Sequence, residues 1–120
     1  MMRRISLSFA LAMLGCTHSL AQNSDHQKLS IIYTVYGSIT LCAQADLGYP
    51  RDQADAISEQ LVQIGQSISV EPNTKDQMWT AISNRLNSEL TEQACMELPS
   101  ALQYVLPQLG VVVPQAAAPF

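Results

Sequence analysis

Between Gln27 and Leu47 the apolar positions Leu29, Ile32, Tyr36, Ile39 and Ala43 recur at steps of three and four residues, which places them on one face of a helix. Ile31, Val35 and Cys42 widen that face. β-branched residues are frequent here and would suit a strand, but the length and spacing of the pattern favour a helix. Gly48 followed by Pro50 is a stop signal. A second helix is predicted from about Pro50 to Ser69, with Ala54, Ile57, Leu61, Ile64 and Ile68 as a narrow seam and Glu71-Pro72 closing it. Asn73 has the chemistry of an N-cap, with Asp76 completing a weak capping box, and Met78 or Trp79, Ile82, Leu86 and Leu90 carry a third helix. Ser88 or Thr91 restarts the chain into a fourth, with Cys95, Leu98, Leu102, Val105 and Leu109 on one face. Pro99 lies inside that last pattern and lacks an N–H, so the fourth helix is expected to kink or break there. Pro107 and Gly110 end it, and residues 111–120 read as an extended apolar tail.

Four helices joined by short turns predict an all-α, up-down-up-down bundle over residues 22–110. The cysteines bear on that topology. Cys42 falls late in the first helix and Cys95 early in the fourth, so the bundle brings them to the same end of the molecule on neighbouring helices. A bond between them closes a loop of about fifty residues and stabilises the fold by roughly 4 kcal/mol in the chain-entropy model. Two buried free thiols are the alternative.

The redox compartment decides between these, and the start of the chain speaks to it. Met1-Met2-Arg3-Arg4 is a short basic segment, and Ile5 to Gly15 is an apolar run too short to span a bilayer, as in a secretory signal. Ser19-Leu20-Ala21 offers small residues for cleavage after residue 21. Alternatively, Met13-Leu14-Gly15-Cys16 resembles a lipobox that ends the signal at residue 15 and lipidates Cys16, with Met where Leu is usual. Either route leaves Cys42 and Cys95 as a pair in an oxidising compartment. The expected location is the periplasm, or the outer membrane through a lipid on Cys16.

Composition narrows the function. Of 120 residues 48% are apolar and 13% charged, enough apolar surface for a packed core and too little charge for wholesale disorder. Removing the signal takes Arg3 and Arg4, leaving Lys28, Arg51, Lys75 and Arg85 against ten acidic residues, a net charge of about −6. No basic cluster survives to bind nucleic acid or an anionic membrane surface.

The residues assemble no catalytic centre. His18 is close to the cleavage sites and His26 lies in a polar N-terminal stretch, so serine and threonine hydroxyls lack a histidine base. No CxxC, HxxxH or calcium-loop spacing is present, and the glycines are scattered, so neither a metal nor another cofactor is expected. Asp52, Asp55 and Glu59 share a helix side, which is better read as a solvated face with acids near the positive end of the helix dipole than as a cation site. What remains is interface chemistry. Trp79, the single tryptophan, suits either core or interface, and Tyr49 in the Leu47-Gly48-Tyr49-Pro50 turn is a surface candidate. Tyr104 is a further aromatic, and a kink at Pro99 would open a groove that the tail either covers or leaves free for a partner.

With Cys42 late in the first helix and Leu90-Thr91-Glu92-Gln93-Ala94-Cys95 leading into the last, the span Leu29 to Leu109 resembles the type II secretion pilotin lipoproteins. That resemblance implies a small helical domain that binds a helix at the end of a secretin subunit. The irregular lipobox, Pro99 and the apolar tail depart from it. Two other exported helical classes share the outline: immunity proteins that neutralise type VI amidase effectors, and periplasmic acid-stress chaperones. The chaperones carry charge-dense ends, whereas no charged side chain follows Glu97 here. The expected function is therefore non-catalytic docking of another protein, pilotin-like, with the other two as alternatives. Intact mass of the exported protein tests the processing step: we expect a chain beginning at Gln22, and a diacylglyceryl group on Cys16 would replace that reading with the anchored one.

Overall fold

The structure is a computed structural model that describes residues 24–114. Residues 1–23, on which the expected signal and Cys16 fall, and residues 115–120 of the tail lie outside the described residues. Those described form six helices, three long and three short, where four had been expected: α1 (Ser24–Gln44), α2 (Arg51–Ser67), α3 (Pro72–Glu89), α4 (Glu92–Met96), α5 (Leu98–Leu102) and α6 (Val105–Leu109).

The helix reading of the first segment holds, and its hydroxyl residues do not disturb it. Thr34, Ser38 and Thr40 donate to the carbonyls of Ser30, Thr34 and Tyr36 one turn back, so the buried Ser38 hydroxyl is satisfied inside the helix. α1 stops before Gly48. Asp46 adopts the left-handed conformation (φ 58°), and the N–H groups of Leu47 and Asp46 close onto the carbonyls of Cys42 and Ala43 at 2.9 and 3.0 Å. The Arg51 guanidinium reaches back to the Ala43 carbonyl and the Asp46 carboxylate, both at 3.3 Å, and neutralises the carbonyl end of the helix. Gly48 is a second left-handed residue (φ 80°). A Cβ there would meet the Cys95 carbonyl at 3.3 Å and Cys42 Cβ at 3.4 Å, so the turn runs directly beneath the Cys42–Cys95 disulfide.

α2 buries Ala54, Ile57, Leu61 and Gly65 against α1. α3 begins one residue ahead of the expected cap: Pro72 occupies its first turn, where a missing N–H is harmless, and Asn73 lies inside the helix without capping it. At the restart the Thr91 alternative is the one realised, its hydroxyl accepting from the Ala94 N–H at 3.1 Å.

Of the kink or break expected around Pro99, the closing segment takes the break, so the single kinked helix is replaced by separate short ones. Pro99 sits in the first turn of α5, and the break lies before it, at Glu97. A helix continuous through Cys95 would drive the Pro99 ring into the Cys95 carbonyl, and one continuous through Gln103 would do the same between Pro107 and the Gln103 carbonyl. The chain therefore breaks twice, at Glu97 and at Gln103–Tyr104. The breaks re-aim the apolar face, so that Leu98, Leu102 and Leu106 are buried while Val105 and Leu109 are only partly covered. Val111 adds a last buried side chain. Beyond it the tail lies on α2: the Gln60 amide accepts from Val112 N–H (2.8 Å) and donates to Val112 C=O (2.7 Å), and Gln53 donates to the Pro114 carbonyl at 2.6 Å.

In three dimensions α1 is the middle element. α2 and α3 each lie along it, and α4 is tied to its end by the disulfide, with Cα atoms of Cys42 and Cys95 5.3 Å apart. Replacing Cys42 and Cys95 together by alanine should lower the free energy of unfolding by about 4 kcal/mol, the value for a closed loop of this length. Urea denaturation under oxidising conditions measures it, and a loss below about 1 kcal/mol would mean that the short helices hold without their covalent tie.

Candidate functional site

The site follows from how α3 is mounted. α3 has no fully buried residue and rests on α1, while α2 rests on another face of α1. Gly37 allows the approach: a Cβ there would lie 2.6 Å from Leu86 Cδ1 and 3.5 Å from the Trp79 ring. Trp79 packs edge-on to Tyr33 and Tyr36, with ring centroids at 5.7 and 5.6 Å and interplanar angles of 74° and 63°. Between α2 and α3 this leaves an open groove of about 340 Å³. Its floor is Ile32, Tyr33, Tyr36 and Trp79; Leu61, Val62 and the bare backbone of Gly65 form the α2 wall. Val62 is 41% exposed.

The rim is polar. Lys75 spans the groove from α3, its Nζ donating to the Gly65 carbonyl at 3.2 Å in the last turns of α2, where a cation is favoured. Asp76 and Gln66 complete the rim. Burial, and secondarily the Asp76 carboxylate, raises the Tyr33 hydroxyl above the usual tyrosine range. A second, shallower cleft of about 250 Å³ lies where the ends of α1 and α3 meet α4, lined by Leu41, Leu47, Leu86, Leu90, Thr91 and Cys95 among others.

Of the aromatic and proline positions singled out in the sequence, the groove takes one, Trp79. Tyr49, expected on the surface, is 9% exposed and belongs to the core, because the left-handed Gly48 turns the chain inward under the disulfide. Pro99 is half-buried and Tyr104 is 72% exposed; both lie on the closing segment, and neither lines the groove. Pro99 lines neither the groove nor the second cleft, and the tail lies on α2. Asp52, Asp55 and Glu59 are exposed on α2, and no trio of His, Cys, Asp or Glu among the described residues is grouped to hold a metal. No described helix is long and apolar enough to cross a membrane.

Sequence reasoning passed over Val62, Gly65 and Asp76 as site residues. The available signal was Gly37, a glycine inside an otherwise helical pattern that marks a close approach. No family model matches the chain, and neither a curated protein nor a solved structure is similar to it at a significant level.

Tyr49 yields a test of the core. Burial raises its hydroxyl above the ordinary value of about 10, so its contribution to stability is complete below that pH and is lost as pH rises through the folded-state value. Tyr49→Phe should flatten the fall in unfolding free energy as pH rises above about 10. Parallel alkaline curves for the two proteins would contradict a buried hydroxyl.

Proposed function

We propose that this chain is a non-catalytic, exported accessory protein that docks a helix of a partner protein in the groove between α1, α2 and α3, as the pilotins do for a secretin. One observation carries the reading: α3 lies along α1 and touches α2 through the Lys75–Gly65 hydrogen bond, which leaves an aromatic-floored apolar channel between α2 and α3. An amphipathic helix laid into a channel of this kind buries its apolar stripe against the floor and keeps its polar face in water. The T-shaped Tyr33, Tyr36 and Trp79 cluster offers large, stiff contact surfaces that lose little rotamer freedom on binding. A periplasmic setting agrees with the Cys42–Cys95 bond, since such bonds persist in oxidising compartments.

A second reading rests on a different surface. Met96 and Tyr104 on the closing segment are 59% and 72% exposed, apolar groups of the kind with which an immunity protein would cover a toxin. The two readings place the partner on different faces. A photo-crosslinking residue at Val62 should capture one protein partner in the native compartment, the adduct mapping to a helical segment, while the same residue at Tyr104 captures none. Capture at Tyr104 and not at Val62 would exchange the pilotin-like reading for the immunity one. Val62→Glu should weaken the captured complex at least about tenfold, as a charge forced into an apolar wall does.

A further inference from the structure

The groove rim carries one cation and one carboxylate, Lys75 and Asp76, and how each is partnered speaks to what enters it. The described part of the chain has four basic side chains, Lys28, Arg51, Lys75 and Arg85, against ten acidic ones. Three of the four are engaged: Arg51 with Asp46, Arg85 with Glu89, and Lys75 with the Gly65 carbonyl. Asp76 is one turn before Trp79 on α3, lines the same groove, and meets no cation among the described residues. It shares that lining with Tyr33, Tyr36 and Trp79, aromatic rings whose faces attract cations.

Resting on the docking role proposed above, we infer that the groove selects a basic amphipathic helix, one whose apolar stripe is interrupted by a single Arg or Lys that seats between the Asp76 carboxylate and the Trp79 ring. Two effects favour this occupant over a neutral helix. A guanidinium or ammonium placed there pairs with an otherwise unmatched carboxylate, and it gains from the indole and phenol faces at the same time. The Lys75 Nζ does not compete, because it is held by the Gly65 carbonyl at the helix end. An acidic residue at the same position would face Asp76 across the groove and be rejected. The surrounding field acts in the same direction, since the net charge of the mature chain draws a basic segment toward it.

The single tryptophan makes the test direct, because Trp79 fluorescence reports on the groove alone. The probes are three synthetic amphipathic peptides of about eighteen residues, roughly five helical turns, identical except for one position on the apolar stripe that is Arg, Gln or Glu. They are titrated into the disulfide-bonded mature protein. The Arg peptide should bind about five- to tenfold more tightly than the Gln peptide, with the Glu peptide weakest, and the Arg advantage should shrink as salt is raised. Asp76→Asn should bring the Arg and Gln peptides to within about twofold of each other, whereas Asp55→Asn on the outer side of α2 should leave the ratio unchanged. If none of the three perturbs Trp79, the helix-docking role itself fails. If all bind alike, docking stands and the preference for a basic helix is overturned. If the Arg advantage survives Asp76→Asn, Asp76 is not its source.

Discussion

The Cys42–Cys95 bond is the constraint on which the rest of this fold depends. The segment after Thr91 is cut by prolines into three helices of five residues each, pieces too short to be stable helices in water without external support. What holds them is one covalent tie to the end of α1 and a row of buried leucines, Leu98, Leu102 and Leu106, that the tie brings into register with the core. Gly48 shows how closely the surroundings fit that bond: its left-handed turn lies against the Cys42 Cβ and the Cys95 carbonyl, and a side chain there would press on both. The same turn sends Tyr49 inward. A loop that reads as surface in the sequence is thereby made part of the interior.

α3 is the opposite case. It is one of the two longest helices after α1, yet it buries no residue fully, and its hold on α1 rests on Trp79 and Leu86 straddling Gly37. A helix with few fully buried side chains belongs to the lower-stability part of a domain. That same incomplete packing keeps the groove open. Had α3 packed against both α1 and α2, as in a closed bundle, the Tyr33, Tyr36 and Trp79 rings would be core and nothing would be left to bind.

The helices of the first three segments were legible because their apolar spacing was dictated by one buried face, and the cysteine pairing was legible because two helix ends had to meet. The fourth segment was read as one helix, kinked or broken at Pro99, because Cys95, Leu98, Leu102, Val105 and Leu109 keep a helical period by themselves. Two prolines override that period, and the breaks move the buried face from Val105 to Leu106. The Pro72 start of α3 was missed because Asn73 carries a stronger capping chemistry, yet a proline at the first helical position needs no cap to satisfy an N–H it lacks. The groove was legible only in part. Trp79 stood out as the one tryptophan, but its partners are ordinary helix residues whose role appears only when Gly37 lets α3 down onto α1.

α2 connects these features, because its faces serve three neighbours. Ala54, Ile57, Leu61 and Gly65 lie on the core, Val62 and Gln66 form one wall of the groove, and Gln53 and Gln60 hold the tail. The tail is anchored by Val111 to the leucines of the closing segment, and that segment is anchored by Cys95 to α1. The position of the groove wall relative to the Tyr33 and Trp79 floor is thus fixed from both ends of α2: by Lys75 on the Gly65 carbonyl at one end, and at the other by a chain of contacts that leads back to the disulfide. A binding channel between loosely joined helices needs such bracing, since its width is otherwise set by a single helix–helix seam. In this molecule the bracing is supplied by the part of the chain with the least regular structure.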